Sequence, residues 1–486
     1  MKPTQDIDAI LRQAQSGFEQ YRLLPVSERL AFLHAVADGL EAGCATLAQI
    51  ADSETSLGIP RLRGELTRTC HQLRSYADAV RSGYAIEAKI NHADPNRTPP
   101  KPDLRKMNVP IGPVVVFGAS NFPLAYSTAG GDTASALAAG CSVVVKAHPA
   151  HPQTCDAVAA IILKAACDTG MPAGVFAQVH GADHATGAAL VQHPYTQAVG
   201  FTGSFSGGKA LFDLAQSRPV PIPVFAEMGS VNPVYLFPEK LQAEPENIGK
   251  MLAASITLGM GQFCTNPGIM VGIESEALGR FVEVLSEFIA SVSSAPMLHA
   301  GIATSYRSHL DRALQQPGVK LQGQSGTPSD DLQAIPSILS VSALDFINNP
   351  VLHQEVFGPF SLLVLCSDFE QMKQVAKILK GQLTSSVMAF PDECGAHSSL
   401  LQTIQDGCGR LVFNGVPTGV EVTLAQHHGG PFPATTDSRF TAVGADAIRR
   451  FMRPVAFQNC PAALLPPELQ DENPLHIPRW VDDNFV

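Results

Sequence analysis

The chain has 486 residues, 45% of them hydrophobic and only 16% charged, with a net charge of −11 and no block of Lys and Arg. The length allows two or three domains with sizeable cores, and the charged share lies below the roughly 25% of an average soluble domain, so part of the surface is expected to be covered in an oligomer. The acidic balance excludes a phosphate-binding stripe and hence a nucleic-acid partner, and no run of about 18 apolar residues offers a membrane span.

The start, "MKPTQDIDAILRQAQ", is amphipathic and lacks the apolar core of a secretory signal. The ten cysteines are scattered and form no C-x-x-C pair, which argues against a zinc ribbon or a disulfide framework. The expectation is a cytoplasmic protein with reduced thiols. From Ser27, "SERLAFLHAVADGLEAG" places Leu30, Leu33, Val36 and Leu40 on one helical face, with Ser27 as cap and Gly43 as stop. The region to residue 86 reads as helical. Residues 87–107 are polar and proline-rich and suit an exposed hairpin or linker.

Strands and helices then alternate. Strands are expected at 114–117, 142–146, 175–180, 198–203 and 224–229, with helices at 125–140, 154–170, 184–193 and 208–216 between them. Alternation implies right-handed crossovers and a mostly parallel, doubly wound sheet. A second α/β region follows to about residue 455, with strands at 269–273, 361–366 and 385–390. The tail from 456 is proline-rich, carries the only Trp, and suits docking against a partner subunit. The domain reading is therefore 1–86 with 108–228, then 229–455, with 87–107 and 456–486 forming a small oligomerisation element.

Four segments can carry chemistry. "GQFCTNPG" 261–268 sets Cys264 in a glycine-flanked, uncharged loop. A free cysteine is usually a small buried hydrophobe, but as a thiolate it is a nucleophile. "FAEMGSVNP" 225–233 ends an apolar strand on Glu227, where a carboxylate is costly unless paired or used as a base. "FGASNFPL" 117–124 carries Asn121, either a helix cap or an oxyanion donor at the carboxyl ends of the strands. "FTGSFSGG" 201–208 is a strand–turn–helix with glycines five apart rather than G-x-G-x-x-G.

Joined to "VVVK" 143–146 and "QEVFGPF" 354–360, these segments in this order resemble the aldehyde dehydrogenase superfamily over residues 15–460. The resemblance implies an α/β fold with a doubly wound cofactor domain and an α/β catalytic domain. It gives Cys264 the role of nucleophile, Glu227 that of general base and Asn121 that of oxyanion donor. Lys146 corresponds to the residue on the adenosine ribose, and Gly203 and Ser204 to the turn beside the pyrophosphate. Gly208 marks the close approach of the helix. Glu355 corresponds to the carboxylate on the nicotinamide ribose and Phe357 to the aromatic beside that ring.

The chain departs from the family pattern in two places. Ile269 replaces an arginine often found five residues after the nucleophile, and "HHGGPFPATTDSRFTAVG" 427–444 stands where "PFGG-x-x-x-SG" is usual. These segments are similar to the branch that holds 2,5-dioxopentanoate (α-ketoglutarate semialdehyde) dehydrogenases, and to NADP-dependent medium- and long-chain aldehyde dehydrogenases. Pro149, where a glutamate often binds the ribose 2′-hydroxyl, leaves NADP or NAD as cofactor with NADP favoured. His148 and His151 suit surface or packing roles, and no metal site is expected. Phe122, Tyr126, Phe263 and Thr265 are expected to shape the substrate tunnel. Arg439 either pairs with a substrate carboxylate or holds its own loop through Asp437. The expected reaction is oxidation of a small aldehyde, 2,5-dioxopentanoate in the first place, in a homodimer or else a homotetramer. A CoA-acylating relative is disfavoured by Glu227. A non-redox cysteine acyltransferase or thioesterase is disfavoured because no histidine stands beside Cys264 in sequence.

Overall fold

The computed structural model describes residues 6–326 and 330–486; the first five residues of the amphipathic start lie outside them. Helices α1 (Ile7–Tyr21), α2 (Val26–Ala42), α3 (Cys44–Thr55) and α4 (Ile59–Arg81) open the fold. Helix α2 starts one residue before Ser27, with Pro25 at its N-cap, so the expected serine cap does not form; Gly43 does end it. Its buried face includes Leu33, Val36 and Leu40, as the 3.6-residue period requires.

The hairpin region becomes two strands, β1 (Lys89–Asn91) and β2 (Leu104–Pro110). The doubly wound half follows: β3 (Val114–Phe117), α5 (Gly131–Ala139), β4 (Val143–Lys146), α6 (Pro152–Asp168), β5 (Phe176–Val179), α7 (His184–Gln192), β6 (Ala198–Thr202), α8 (Phe205–Gln216) and β7 (Val224–Glu227). The sheet is parallel, in the order β5-β4-β3-β6-β7. Strands β3 and β4 are buried along nearly their whole length because helices cover both faces. Strand order reverses between β3 and β6, so the loops leaving β3, β6 and β7 open at one carboxyl edge, where such sheets hold ligands.

Helix α5 is shorter than the expected 125–140. Gly130 caps it, and a Cβ there would stand 2.6 Å from the Ala125 carbonyl oxygen. The freed segment 118–130 becomes the loop that carries Asn121.

The second half is a seven-stranded sheet in the order Lys320–Gln324, Ser337–Ser342, Phe360–Cys366, Ile269–Ile273, Val234–Leu236, Gln382–Met388, Cys408–Phe413. Only its first strand is antiparallel. A third, five-stranded sheet joins β1 and β2 to Met452–Gln458, Trp480–Val481 and Asn484–Phe485. It closes over a small core of Ala88, Ile90, Met107, Leu465, Leu469 and Ile477. Strand β2 runs past residue 107 and Met452–Gln458 begins before 456, so both expected boundaries fall inside strands. Ala445, Ile448 and Phe451 pack in the core of the first half, so the chain returns there before entering the small sheet.

Candidate active site

The helix Pro245–Thr257 runs into a tight loop that presents Cys264. Gly259, Met260 and Gly261 take φ of 55°, 54° and 62° in succession. This left-handed region is costly for any residue with a Cβ. Gly261 has no alternative, since a Cβ there would lie 2.1 Å from the Gly358 carbonyl oxygen. Met260 accepts the conformation because its side chain is buried in the core of the second half. Asn232 fixes the far side of the loop, its amide donating to the carbonyl oxygens of Cys264 and Asn266 at 2.9 Å each. Thr384 and Ser230 donate in turn to the Asn232 carbonyl oxygen.

Glu227 ends β7 and is buried. Segment 434–436 binds that strand end: Met228 N–H donates to Ala434 O (2.8 Å), Thr436 N–H donates to Ala226 O (3.2 Å), and Glu227 bridges Thr435. The same returning segment brings in His428, whose ring Nε2 lies 3.0 Å from Glu227 Oε1 and 3.7 Å from Cys264 Sγ. No histidine neighbours Cys264 in sequence; the fold supplies one 164 residues on. The ligating atoms of Glu227, Cys264 and His428 all lie within 4.8 Å of one another. In a Ser/His/Asp-type relay the acid holds one ring nitrogen while the other faces the nucleophile. Here a single nitrogen faces both groups, so the set is not such a relay.

Burial, and then the neighbouring Glu227 carboxylate, push the Cys264 thiol well above its ordinary range. Burial pushes Glu227 up, but the charge and hydrogen bond of His428 more than offset this and hold it below the usual carboxylate range. Its second oxygen, Oε2, is buried without a hydrogen-bond partner. Asn121 Nδ2 donates to Gln262 O at 3.1 Å, which uses one of its two hydrogens and leaves the other free.

Asn121, Glu227 and Cys264 line a cavity of about 440 Å³. Lys146, Gly203, Ser204, Glu355 and Phe357 line it together with Asn121, Glu227 and Cys264. Lys146 has no ion pair within 4 Å among the described residues, and burial lowers its affinity for a proton. Glu355 is pushed up to about 7 by burial. Gly229 makes room for it, since a Cβ there would meet Glu355 Oε2 at 2.4 Å. Ser204 caps α8, accepting from Gly207 N–H at 3.2 Å, and both residues line the cavity. An ammonium and a carboxyl, neither in an ion pair among the described residues, and the start of α8 thus line one cavity with the cysteine. That donor set fits a dinucleotide: Lys146, the start of α8 and Glu355 would hold it in the cavity that Cys264 lines.

Gly208 lies behind the cavity surface: a Cβ there would meet Met228 Cγ at 2.7 Å, so it sets the close packing of α8 on the strand end. Pro149 is exposed and outside the cavity lining. His151 is buried, its Nε2 3.1 Å from Ala119 O and its Nδ1 3.3 Å from Cys155 Sγ. His148 lines the cavity and is pushed down to about 3, first by burial. Phe122 packs edge-on against Tyr126 and Phe263, with ring centres 5.3 and 5.5 Å apart, outside the lining of that cavity. Thr265 is 1% exposed and sits within the loop rather than on a wall. Arg439 is held by Asp437 through Nε (2.9 Å) and Nη2 (2.5 Å), with its side chain 79% exposed. Of its two expected roles, the structure gives it the loop strut. Arg61 and Arg68, to which the sequence reading assigned nothing, face the aromatic cluster from α4.

A model of the aldehyde dehydrogenase family matches residues 2–431. The chain is 48% identical over 478 residues to an alpha-ketoglutaric semialdehyde dehydrogenase 2 of Azospirillum brasilense, covering 98% of this chain and 91% of that one. It is 45% identical over 479 residues to an alpha-ketoglutaric semialdehyde dehydrogenase of Acinetobacter baylyi, with the same coverage of each. Among solved structures it resembles PnpE in complex with nicotinamide adenine dinucleotide, with a TM-score of 0.79 at 22% identity over 93% of this chain and 89% of that one. A 3,6-anhydro-L-galactose dehydrogenase matches with a TM-score of 0.78 at 20% identity, over 93% and 91% of the two chains.

Proposed function

The chain belongs to the aldehyde dehydrogenase family, and from that premise we propose that it oxidises 2,5-dioxopentanoate to 2-oxoglutarate. The single observation that carries the chemistry is that Cys264, Glu227 and Asn121 line one cavity together with Lys146 and Glu355. The substrate comes from the two relatives at 45–48% identity over nearly the whole chain.

In this reading the Cys264 thiolate attacks the aldehyde carbon. Asn121 Nδ2 and the Cys264 backbone N–H hold the resulting oxyanion, and one such donor is worth about 10²–10³ in rate. The thiol gives up its proton to solvent before the attack, and His428 Nε2, donating to Glu227 Oε1 at 3.0 Å, orients that carboxylate beside Sγ. The bound nicotinamide supplies the hydride acceptor. Glu227 then deprotonates the water that hydrolyses the thioester, and its buried, unpartnered Oε2 is the acceptor available for that water. Lys146, the α8 start and Glu355 hold the dinucleotide.

NADP is the favoured form because the Lys146 ammonium lines the cavity while its only acidic lining residues are Glu227 and Glu355. Ten free cysteines support a reducing, cytoplasmic setting. The small sheet, with exposed Trp480 and Phe485 near its edge, supports a homodimer built through it. Nicotinamide reduction followed by absorbance, with 2,5-dioxopentanoate and hexanal in parallel and with each cofactor, tests the assignment. Preference for hexanal moves the substrate to aliphatic aldehydes, and no reduction with either aldehyde removes the dehydrogenase reading.

A further inference from the structure

Helix α4 carries two guanidinium groups seven residues apart, Arg61 and Arg68, which this spacing sets on one face. Arg61 lies over the rings of Phe122 (5.2 Å) and Phe263 (4.7 Å) and donates from Nη2 to Asn121 O at 2.8 Å. Its Nη1 is buried with no hydrogen-bond partner. Arg68 lies 5.2 Å over the Tyr126 ring and makes only long contacts, to Tyr126 Oη (3.2 Å), Gln72 Oε1 (3.4 Å) and Val420 O (3.4 Å).

Neither has a carboxylate within 4 Å among the described residues. Glu65, the acid between them on the helix, gives Oε1 to the amides of Leu124 and Ala125 instead. By contrast Arg74, further along the same helix, is paired with Asp38 and Glu41. A partly buried cation without a counter-ion is costly. Two of them on one helix face, about two turns apart, in a protein of net charge −11 mark a place where an anion belongs.

The position relative to the nucleophile is specific. Phe263 is the chain neighbour of Cys264, and the Tyr126 ring is 6.3 Å from His428, which faces Sγ. Both arginines and all three aromatics stand outside the lining of the dinucleotide cavity, while Cys264 is part of it. The cysteine therefore has the cofactor cavity on one side and a cationic aromatic wall on the other. An extended five-carbon oxo-acid places its carboxylate about 5 Å from its aldehyde carbon. A cation that holds the carboxylate therefore belongs on residues next to the nucleophile, as Phe263 and the Arg61 over its ring are.

We propose that Arg61 and Arg68 form the subsite for the carboxylate end of an ω-oxo acid, and so select a carboxylate-bearing aldehyde over a neutral one. This rests on the dehydrogenase reading above. Arginine suits the task because its planar fork pairs with a carboxylate through two parallel hydrogen bonds and keeps its charge when half-buried. The aromatic faces hold the guanidinium groups in place by cation–π contact.

The test compares kcat/KM for 2,5-dioxopentanoate and pentanal, with NADP⁺, in the full-length enzyme and in Arg61→Met, Arg68→Met and Arg68→Lys. Loss of a charge-assisted pair is expected to raise KM for the oxo-acid and to lower its preference over pentanal by about tenfold or more in each Met variant. Arg68→Lys recovers part of that preference. Equal losses for both aldehydes would make the arginines struts of the Asn121 loop and overturn the subsite. On the unaltered enzyme, glutarate is expected to compete with the aldehyde and neutral glutaramide is not; equal competition by the two also overturns it, whether or not the variants fold. A wild-type enzyme that prefers pentanal removes the substrate reading itself. A wild-type preference for the oxo-acid that survives both Met variants removes only the subsite.

Discussion

At the scale of single residues, the resting site holds its nucleophile as a thiol. Burial and the Glu227 charge raise Cys264 together, so its alkylation by iodoacetamide without cofactor is expected to climb steadily with pH above neutrality. Glu227→Gln removes the like charge. The thiol then falls towards its ordinary value, and alkylation at neutral pH accelerates by about tenfold for each pKa unit recovered. Aldehyde turnover in the same variant falls by about 10²-fold or more because the water loses its base. Slower alkylation in Glu227→Gln would mean that the carboxylate activates the thiol rather than suppressing it. Cys264, Glu227 and Asn121 were legible because each is a chemically odd residue in a short apolar or glycine-flanked segment. His428 was not: it lies beside a second histidine in a loop with no period, and only the return of segment 434–436 to β7 brings it to the cysteine. Arg61 and Arg68 were hidden likewise, since polar residues on a helix read as a solvated face until the opposing loop is in place.

At the scale of elements, glycines decide how closely the cavity walls approach. Gly229→Ala would place a Cβ 2.4 Å from Glu355 Oε2, the movable end of a side chain. The expected outcome is a Tm within about 2 °C of wild type and an NADP⁺ Kd about tenfold weaker, as for the loss of a hydrogen bond to a charged group. An unchanged Kd by calorimetry would take Glu355 out of cofactor binding. The Glu355 carboxyl, raised to about 7, accepts hydrogen bonds at full strength only once ionised. Cofactor affinity is therefore expected to rise as pH increases through about 7, and Glu355→Gln flattens that rise. The strands of the first sheet were legible because burial on both faces makes them unbroken apolar runs. The strands at 89–91, 480–481 and 484–485 were not, since two or three residues carry no period and form only by pairing with distant segments.

For the whole molecule, the small sheet ties residues 89–110 to both 452–458 and the last seven residues. Removing residues 480–486 takes away the strand that pairs with Lys89 and Ile90 and uncovers part of the core around Ile90 and Ile477. If the proposed homodimer is built through this sheet, the expected result by light scattering is a monomer with a lowered Tm, while the dinucleotide cavity keeps its lining. A truncated protein of unchanged mass in solution would place the interface elsewhere. The bond between β7 and residues 434–436 has a consequence for the order in which the protein is made. A ribosome releases Glu227 and Cys264 well before His428 and Thr435, and domains begin to fold from the amino terminus as they emerge. From the synthesis of Cys264 until that of His428, 164 residues on, the nascent chain therefore has a nucleophile without its histidine and a base without its anchor. The cysteine stands unassisted until residues 428–435 have been made and have paired with β7, so the complete site arrives with that segment and not when the cysteine appears.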